Sequence, residues 1–139
     1  MTSPGVIREA LATFITANVP GLRALTDPGS IANPPVAVIL PAQGTYIDYA
    51  LALEHRVTEL NLRVVVLVSR ASERIAIAEL DAYVAPYGGS SIPAAILTDP
   101  TLGGACDYCI PVEAVFAADV NWAGVDYMGA EITCRAGAE

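Results

Sequence analysis

The sequence predicts an α+β fold, in which a mostly antiparallel sheet carries an N-terminal helix and a central helix on one face. The chain has 139 residues, 54% hydrophobic and 16% charged, which suits a single domain over residues 1–139 with one buried core. Two segments show the 3.6-residue period of amphipathic helices. Strand-like segments follow one another instead of alternating strictly with helices, and this order favours α+β.

The first helix is predicted from about Pro4 to Asn18. Ser3 is a suitable N-cap, and proline fits the first helical position. Apolar side chains recur on one face, at Ile7, Leu11, Phe14 and Ile15. Pro20 and Gly21 end the helix, and Leu22 to Leu25 is predicted to form a short strand.

Three segments in the middle of the chain are predicted strands. Val36 to Leu40 is a short β-rich run that a proline closes. Residues 46–53 alternate between two sets of side chains, which predicts a strand with one wetter face. Glu59 to Val68 first alternates and then becomes apolar on both faces. That change predicts a strand that enters the centre of the sheet.

The second helix is predicted to begin at Ser72 and Glu73 and to end near Pro86. Its apolar stripe comprises Ala76, Ile77, Leu80, Tyr83 and Val84. Residues 88–104 read GGSSIPAAILTDPTLGG. Ser90 or Ser91 can cap one or two helical turns there, and Gly103-Gly104 allows a tight backbone approach.

Two late strands complete the predicted sheet, separated by a loop at residues 121–124. The first is expected to place four apolar side chains on one face: Ile110, Val112, Ala114 and Phe116. The second is expected to do the same with Met128, Ala130, Ile132 and Cys134. Residues 136–139 are expected to be a frayed tail.

The charge balance excludes one class of function. Fifteen acidic and seven basic residues give a formal charge of −8, and all seven basic residues are arginine. A nucleic-acid groove with net positive potential is therefore excluded. An acidic surface, in contrast, would let DNA pass without binding it, because it repels the phosphates. No apolar run is long enough for a membrane helix and no signal peptide is predicted, so we expect synthesis in the cytosol and no membrane partner.

The three cysteines do not indicate a metal or redox site. An odd count argues against a complete disulfide framework and fits a reducing compartment. Cys106 and Cys109 have C-x-x-C spacing but precede a strand, not a helix. A zinc site needs four ligands, yet Cys134 is distant in sequence and His55 is the only histidine. Small buried thiols are the favoured interpretation.

The remaining polar residues show no catalytic pattern. His55 lies between Glu54 and Arg56 and could act as a base, but no G-x-S-x-G elbow supplies an activated serine, and no phosphate loop occurs. The carboxylates lack metal-ligand spacing; they include Asp81, Asp99, Asp107, Asp119 and Asp126. We therefore predict no catalytic, cofactor-binding or metal-binding residue and no enzymatic activity. The six tyrosines suit contact surfaces with one wet edge.

Short motifs in a fixed order along nearly the whole chain resemble the tail terminator proteins of bacteriophages with long, flexible, non-contractile tails. In the N-terminal half these motifs are Ile7-Arg8-Glu9-Ala10-Leu11, Asn33-Pro34-Pro35-x-x-Val38 and Leu62-x-Val64-x-Val66-Leu67-Val68-Ser69-Arg70. In the C-terminal half they are Leu80-Asp81-x-Tyr83, Gly89-Ser90-Ser91-Ile92, Ala95-Ile96, Leu102-Gly103-Gly104 and Tyr127-x-Gly129-Ala130. None of these motifs is a catalytic signature.

The resemblance implies a structural virion protein that closes into a hexameric ring on the head-proximal end of the tail tube. There it would stop polymerisation of the tail tube protein and form the interface with a head-completion protein. Such a role needs a heterologous interface and no cofactor. Sheet edges and the 88–104 segment are our candidates for the contacts.

The acidity leads to a second hypothesis about such a ring. Acidic side chains such as Asp48, Glu54, Glu59 or Asp107 would line the bore and keep DNA phosphates from adhering. Solubility of the monomer before assembly is the alternative explanation.

Two other functions stay open at this point. A head–tail connector or tail-completion protein of the same joint would share the size, the acidity and the ring. From a different class, a small cytosolic thiol enzyme would need a reactive Cys106 or Cys109.

Overall fold

A computed structural model describes residues 3–27, 34–47, 49 and 58–138. Their helices are α1 (Pro4–Asn18), α2 (Glu73–Val84) and α3 (Ile92–Thr98). Their strands are β1 (Arg23–Leu25), β2 (Val36–Pro41), β3 (Thr58–Ser69), β4 (Tyr108–Trp122) and β5 (Val125–Ala138). The strands form one sheet in the order β1-β2-β3-β5-β4, in which only the β1–β2 pair is parallel. The predicted α+β fold is confirmed.

The helices pack on one face of the sheet. The Ser3 hydroxyl accepts a hydrogen bond from the Val6 N–H and caps α1, which buries Ile7, Leu11 and Ile15. Helix α2 buries Ala76, Leu80 and Tyr83 against the same core. This core is built on the strand residues that point towards the helices, among them Leu62, Val64, Val66, Ala130 and Ile132. The prediction of helices gathered on one face is confirmed.

β3 lies at the centre of the sheet, as its sequence pattern predicts. It pairs with β2 over Leu62 to Leu67 and with β5 over its full length. On the face that carries none of the three described helices, which we call the helix-free face, Val65 and Leu67 form a second buried cluster with Val36, Val38 and Tyr127. Burial on both faces explains why the second half of this strand is continuously apolar.

β4 and β5 form one long hairpin of 15 and 14 residues. Its turn is Ala123-Gly124, where both residues have positive φ (52° and 82°), as a type I′ turn requires. The strands are longer than predicted because polar residues near the turn, such as Asn121 and Asp126, pair at the solvated end of the hairpin.

The predicted frayed tail is wrong for residues 136–138. Ala136 and Ala138 are buried and pair with Leu60 and Thr58, so β5 continues to the end of β3. The small side chains of Ala136 and Ala138, which suggest a tail in the sequence, are part of the buried core.

The strand predicted over residues 46–53 is mostly outside the described residues. Ile47 makes a single antiparallel bridge to Leu60, and Tyr49 has a helical backbone, so the strand prediction is wrong there. The bridge lies at Leu60, beyond Leu62, which is the last residue of β3 that pairs with β2.

Candidate assembly surface

The outermost strand β4 exposes a row of apolar side chains. Ile110, Val112, Val115 and Phe116 are each 47% to 55% exposed, and we call these four residues the β4 surface. Among the residues that the structure describes, β4 pairs with β5 on one side only, so its other side presents backbone groups with no strand partner among them. A long apolar edge strand of this kind is a template for contact with another chain.

β4 is apolar on both faces of the sheet. The register shifts between Pro111 and Glu113, which makes Val112 a bulge residue. As a result Ile110 lies opposite Arg135 on the helix-free face, whereas Phe116 lies opposite Ala130 on the helix side. The prediction that Ile110 and Phe116 share one face is therefore wrong, because the bulge changes the phase of the alternation.

The features that usually protect an edge strand lie towards the two ends of β4. Pro111 and the first bulge are near its start, and Asp119 lies in a second register shift between Ala117 and Val120. Between them, residues 114–118 read AVFAA and carry no charge. The middle of β4 is thus the part of the described edge that is best suited to a contact.

The apolar character continues from β4 onto the helices. A groove of about 260 Å³ lies between β4 and the ends of α2 and α3. Its lining is mostly apolar and comprises Val84, Pro86, Pro93, Leu97, Pro111, Val112, Glu113, Ala114 and Ile132. Leu97 is itself more than half exposed, which extends the apolar area beyond the strand.

The opposite edge of the sheet, β1, has a different character. It is three residues long, and the N–H of Ala24 donates to the Thr16 hydroxyl at 3.0 Å. An open groove of about 480 Å³ runs between α1 and β1, lined by Glu9, Ala12, Thr13, Thr16, Ala17, Ala24, Leu25, Thr26 and Asp27. We call it the α1–β1 groove.

The 88–104 segment is held largely by its own contacts. The Ser91 hydroxyl accepts from the Ala94 N–H at 3.0 Å and donates to the Ala85 carbonyl, so Ser91, not Ser90, caps α3. The Asp99 carboxylate accepts hydrogen bonds from the N–H and the hydroxyl of Thr101 and from the N–H of Gly103. These bonds lower the pKa of Asp99, and the bond from the Thr101 hydroxyl has the largest effect. Gly103 and Gly104 have positive φ and are exposed. The share of this segment in assembly stays a prediction.

The three cysteines are buried free thiols near the start of the hairpin. Burial raises the pKa of Cys106 to about 11. A hydrogen bond with the Cys134 thiol, followed by burial, raises the pKa of Cys109 well above its ordinary value. Protonated thiols are poor nucleophiles, and Cys106 lies in a turn before β4 instead of at a helix N-terminus. The geometry therefore favours the interpretation of these cysteines as packing residues.

Several of the described carboxylates serve local structure. Glu131 pairs with Arg63 at 2.8 Å, and Asp119 pairs with Arg70, which also approaches Glu73. Glu59 accepts a hydrogen bond from Tyr108, and Asp107 is exposed near the same end of the sheet. Within residues 3–27, 34–47, 49 and 58–138, no group of three or more His, Cys, Asp or Glu could hold a metal ion. His55, Asp48 and Glu54 lie outside the described residues.

Comparisons with known proteins leave the resemblance untested. No protein-family model matches the sequence, and no curated protein is significantly similar to it. In the part of the chain that the structure describes, no helix has the length and apolar character needed to cross a bilayer.

Phe116 is the surface residue that sequence reasoning misjudged. The alternating pattern of its strand predicts which side chains share a face of the sheet. The pattern does not predict whether other parts of the protein bury that face. The uncharged run at 114–118 was the available signal, because solvated edge strands usually carry charges.

Proposed function

We propose that this protein is a tail terminator of a long-tailed bacteriophage with a non-contractile tail. It acts as a structural virion protein and closes into a hexameric ring on the head-proximal end of the tail tube. The ring stops tube polymerisation and offers its outer end to a head-completion protein, and DNA passes through it without specific binding. This function needs neither a cofactor nor a catalytic group.

The exposed β4 surface is the observation that carries the proposal. A monomer with four half-exposed apolar side chains on an open edge strand is prone to associate. β4 forms one edge of the sheet and β1 forms the other, and the two differ in length and polarity. Unlike edges favour head-to-tail contact, and head-to-tail contacts close into rings when the rotation permits.

The charge distribution limits how an acidic bore could be built. The strand residues on the helix-free face include Glu59, Glu113 and Glu131, balanced by Arg23, Arg63 and Arg135. A bore lined by this face would be close to neutral among the described residues. An acidic bore therefore requires the helix-bearing side, or the ends of the sheet near Asp107, to face inwards.

The oligomeric state tests the ring. We expect light scattering of the purified protein to give a mass several times the 14.4 kDa of one chain, and negative-stain images to show rings. Val115→Lys should shift the mass towards the monomer because it places a charge in the middle of the β4 surface. A protein that stays monomeric, alone and when mixed with tail tube subunits, would contradict the proposal.

The virion phenotype tests the place in the tail. If the gene is deleted from its phage, tail tubes should grow to uncontrolled length. Tails of normal length that are not joined to heads would instead assign the protein to the connector or tail-completion class.

A further inference from the structure

We infer that, in the ring proposed above, the middle of β4 in one copy packs against β1 of the next copy, and that Phe116 inserts into the α1–β1 groove of that neighbour. This inference rests on the proposed ring and names its contact. The occupant of the groove is thus a second copy of this chain.

Phe116 and Ala24 mark the two ends of one row across the sheet. The row runs Ala24–Ala37–Val66–Ala130–Phe116, and every step is a pair of directly opposed residues. The first four side chains belong to the core beneath the helices, so the whole row lies on the helix side. Phe116 at one edge and the α1–β1 groove at the other are therefore on the same face and at the same level.

The rows on either side continue the match. Val115 is level with Leu25, and Ala117 is level with Arg23. β1 runs antiparallel to β4, because β1 is parallel to β2 and each later step across the sheet reverses direction. The two edges are thus oriented for an antiparallel contact in which the three residues of β1 meet residues 115–117.

A ring in which the strands run along the axis would use this match. Its copies are related by rotation alone, without translation along the axis. When the strands run along the ring axis, rotation brings each row of one copy to the level of the same row in the next. Phe116 then meets Ala24 and not a residue further along β1.

The α1–β1 groove is shaped for a side chain and not for an added strand. The Ala24 N–H already donates to Thr16, so the backbone of β1 is partly occupied. Six of the nine lining residues are small, Ala12, Thr13, Thr16, Ala17, Ala24 and Thr26, and they leave an open volume of about 480 Å³; the other three include the carboxylates Glu9 and Asp27. A large aromatic side chain at the same level complements this space.

Charges at the two edges are complementary. Arg23 is exposed at the β1 edge and lies in the same row across the sheet as Ala117 of β4. Asp119 follows two residues later in the second register shift of β4; it pairs with Arg70 of its own chain, and most of its side chain is exposed. A guanidinium group from the next copy would add a second cation to this carboxylate, which favours this head-to-tail orientation over a contact between two β4 strands.

Cysteine cross-linking tests the contact directly. Phe116→Cys and Ala17→Cys are prepared separately and mixed under mild oxidation; the native cysteines are buried, and wild-type protein is the control for them. A disulfide-linked dimer is expected in the mixture and not with either variant alone. A dimer from Phe116→Cys alone would overturn the inference in favour of paired β4 strands, and a ring without any cross-link would also overturn it.

A matched pair of charge substitutions provides the second test. Phe116→Lys should raise the concentration needed for assembly by about tenfold or more, whereas Ile75→Lys, at a similarly exposed position on α2 outside the β4 surface and both grooves, should have little effect. Equal effects of the two variants would overturn the inference. Because the tail-length phenotype judges the proposed function separately, a failed contact and a failed function are distinguishable.

Discussion

The ring of Tyr108 lies over Gly137, its cross-strand partner, and its hydroxyl donates a hydrogen bond to Glu59 on the next strand. A Cβ atom at Gly137 would come within 2.5 Å of two ring carbons. The glycine therefore makes room for a tyrosine whose side chain spans three strands. The tyrosine ring covers Gly137 on the helix-free face at this end of the sheet.

Gly137→Ala is expected to destabilise the protein by about 1–3 kcal/mol, because the added methyl group displaces the tyrosine ring. In a Tyr108→Ala background the same change should be neutral or stabilising, since alanine loses less conformational entropy than glycine in a strand. Denaturant titrations of the four proteins measure this double-mutant cycle. Gly89→Ala is the control, because a Cβ there has nothing within 4 Å and φ is not positive. Additive effects at Gly137 and Tyr108 would contradict the steric explanation.

Ala123→Asn is expected to stabilise the protein. Ala123 occupies the first central position of the type I′ turn with φ of 52°, where asparagine is preferred over alanine. The left-handed conformation costs an ordinary residue about 1–2 kcal/mol, and asparagine relieves part of this cost. A rise in Tm measures the gain, with Ala118→Asn as a comparison within β4. An unchanged or lower Tm would argue against this turn geometry.

Ser91→Ala is expected to lower the free energy of unfolding by about 1–2 kcal/mol. The substitution removes the cap of α3 and leaves the Ala85 carbonyl without its hydroxyl partner. Ser90→Ala is a close control, because the Ser90 side chain makes no hydrogen bond among the described residues. Chemical denaturation of the two variants compares them, and equal losses would contradict the assignment of Ser91 as the cap.

The stability should fall as the pH rises from about 9 to 11. Burial raises the pKa of Cys106 from 9.0 to about 11, so over this range the unfolded chain releases a proton that the folded chain retains. Ionisation then favours the unfolded state, and the contribution present below pH 9 is lost. The pKa of Tyr108, raised from 10.0 to about 12 mainly by burial, extends the effect to higher pH.

Tm measured across this pH range tests the assignment. Cys106→Ala cannot titrate, so its Tm should depend less on pH between 9 and 10, whatever its Tm at neutral pH. The same slope in the variant and in the wild type would exclude Cys106 as the source.

The elements with strong local patterns were predictable from sequence. α1 has a cap, a proline at its start and a regular apolar stripe, and it begins and ends where the sequence predicts. β3 reveals its central position by becoming apolar on both faces. In both cases the burial that stabilises the element is encoded in consecutive residues.

The candidate site depends on relationships that are not local. The bulge at Val112 reverses the phase of β4; Pro111 beside it is compatible with an edge strand or a bulge but does not specify where the phase changes. The exposure of Phe116 depends on which strand lies at the edge, and that follows from the insertion of β5 between β3 and β4. The level match between Phe116 and Ala24 requires the register of all five strands.

The position of β5 also sets the order in which the molecule can fold. β5 follows every other described strand in the chain, yet it lies inside the sheet between β3 and β4. During translation, α1, α2 and α3 leave the ribosome before the surface on which they pack is complete. The tight turn at Ala123-Gly124 makes the contacts between β4 and β5 local, so we expect this hairpin to form before it pairs with β3. We therefore expect nascent chains that stop before β5 to remain unfolded.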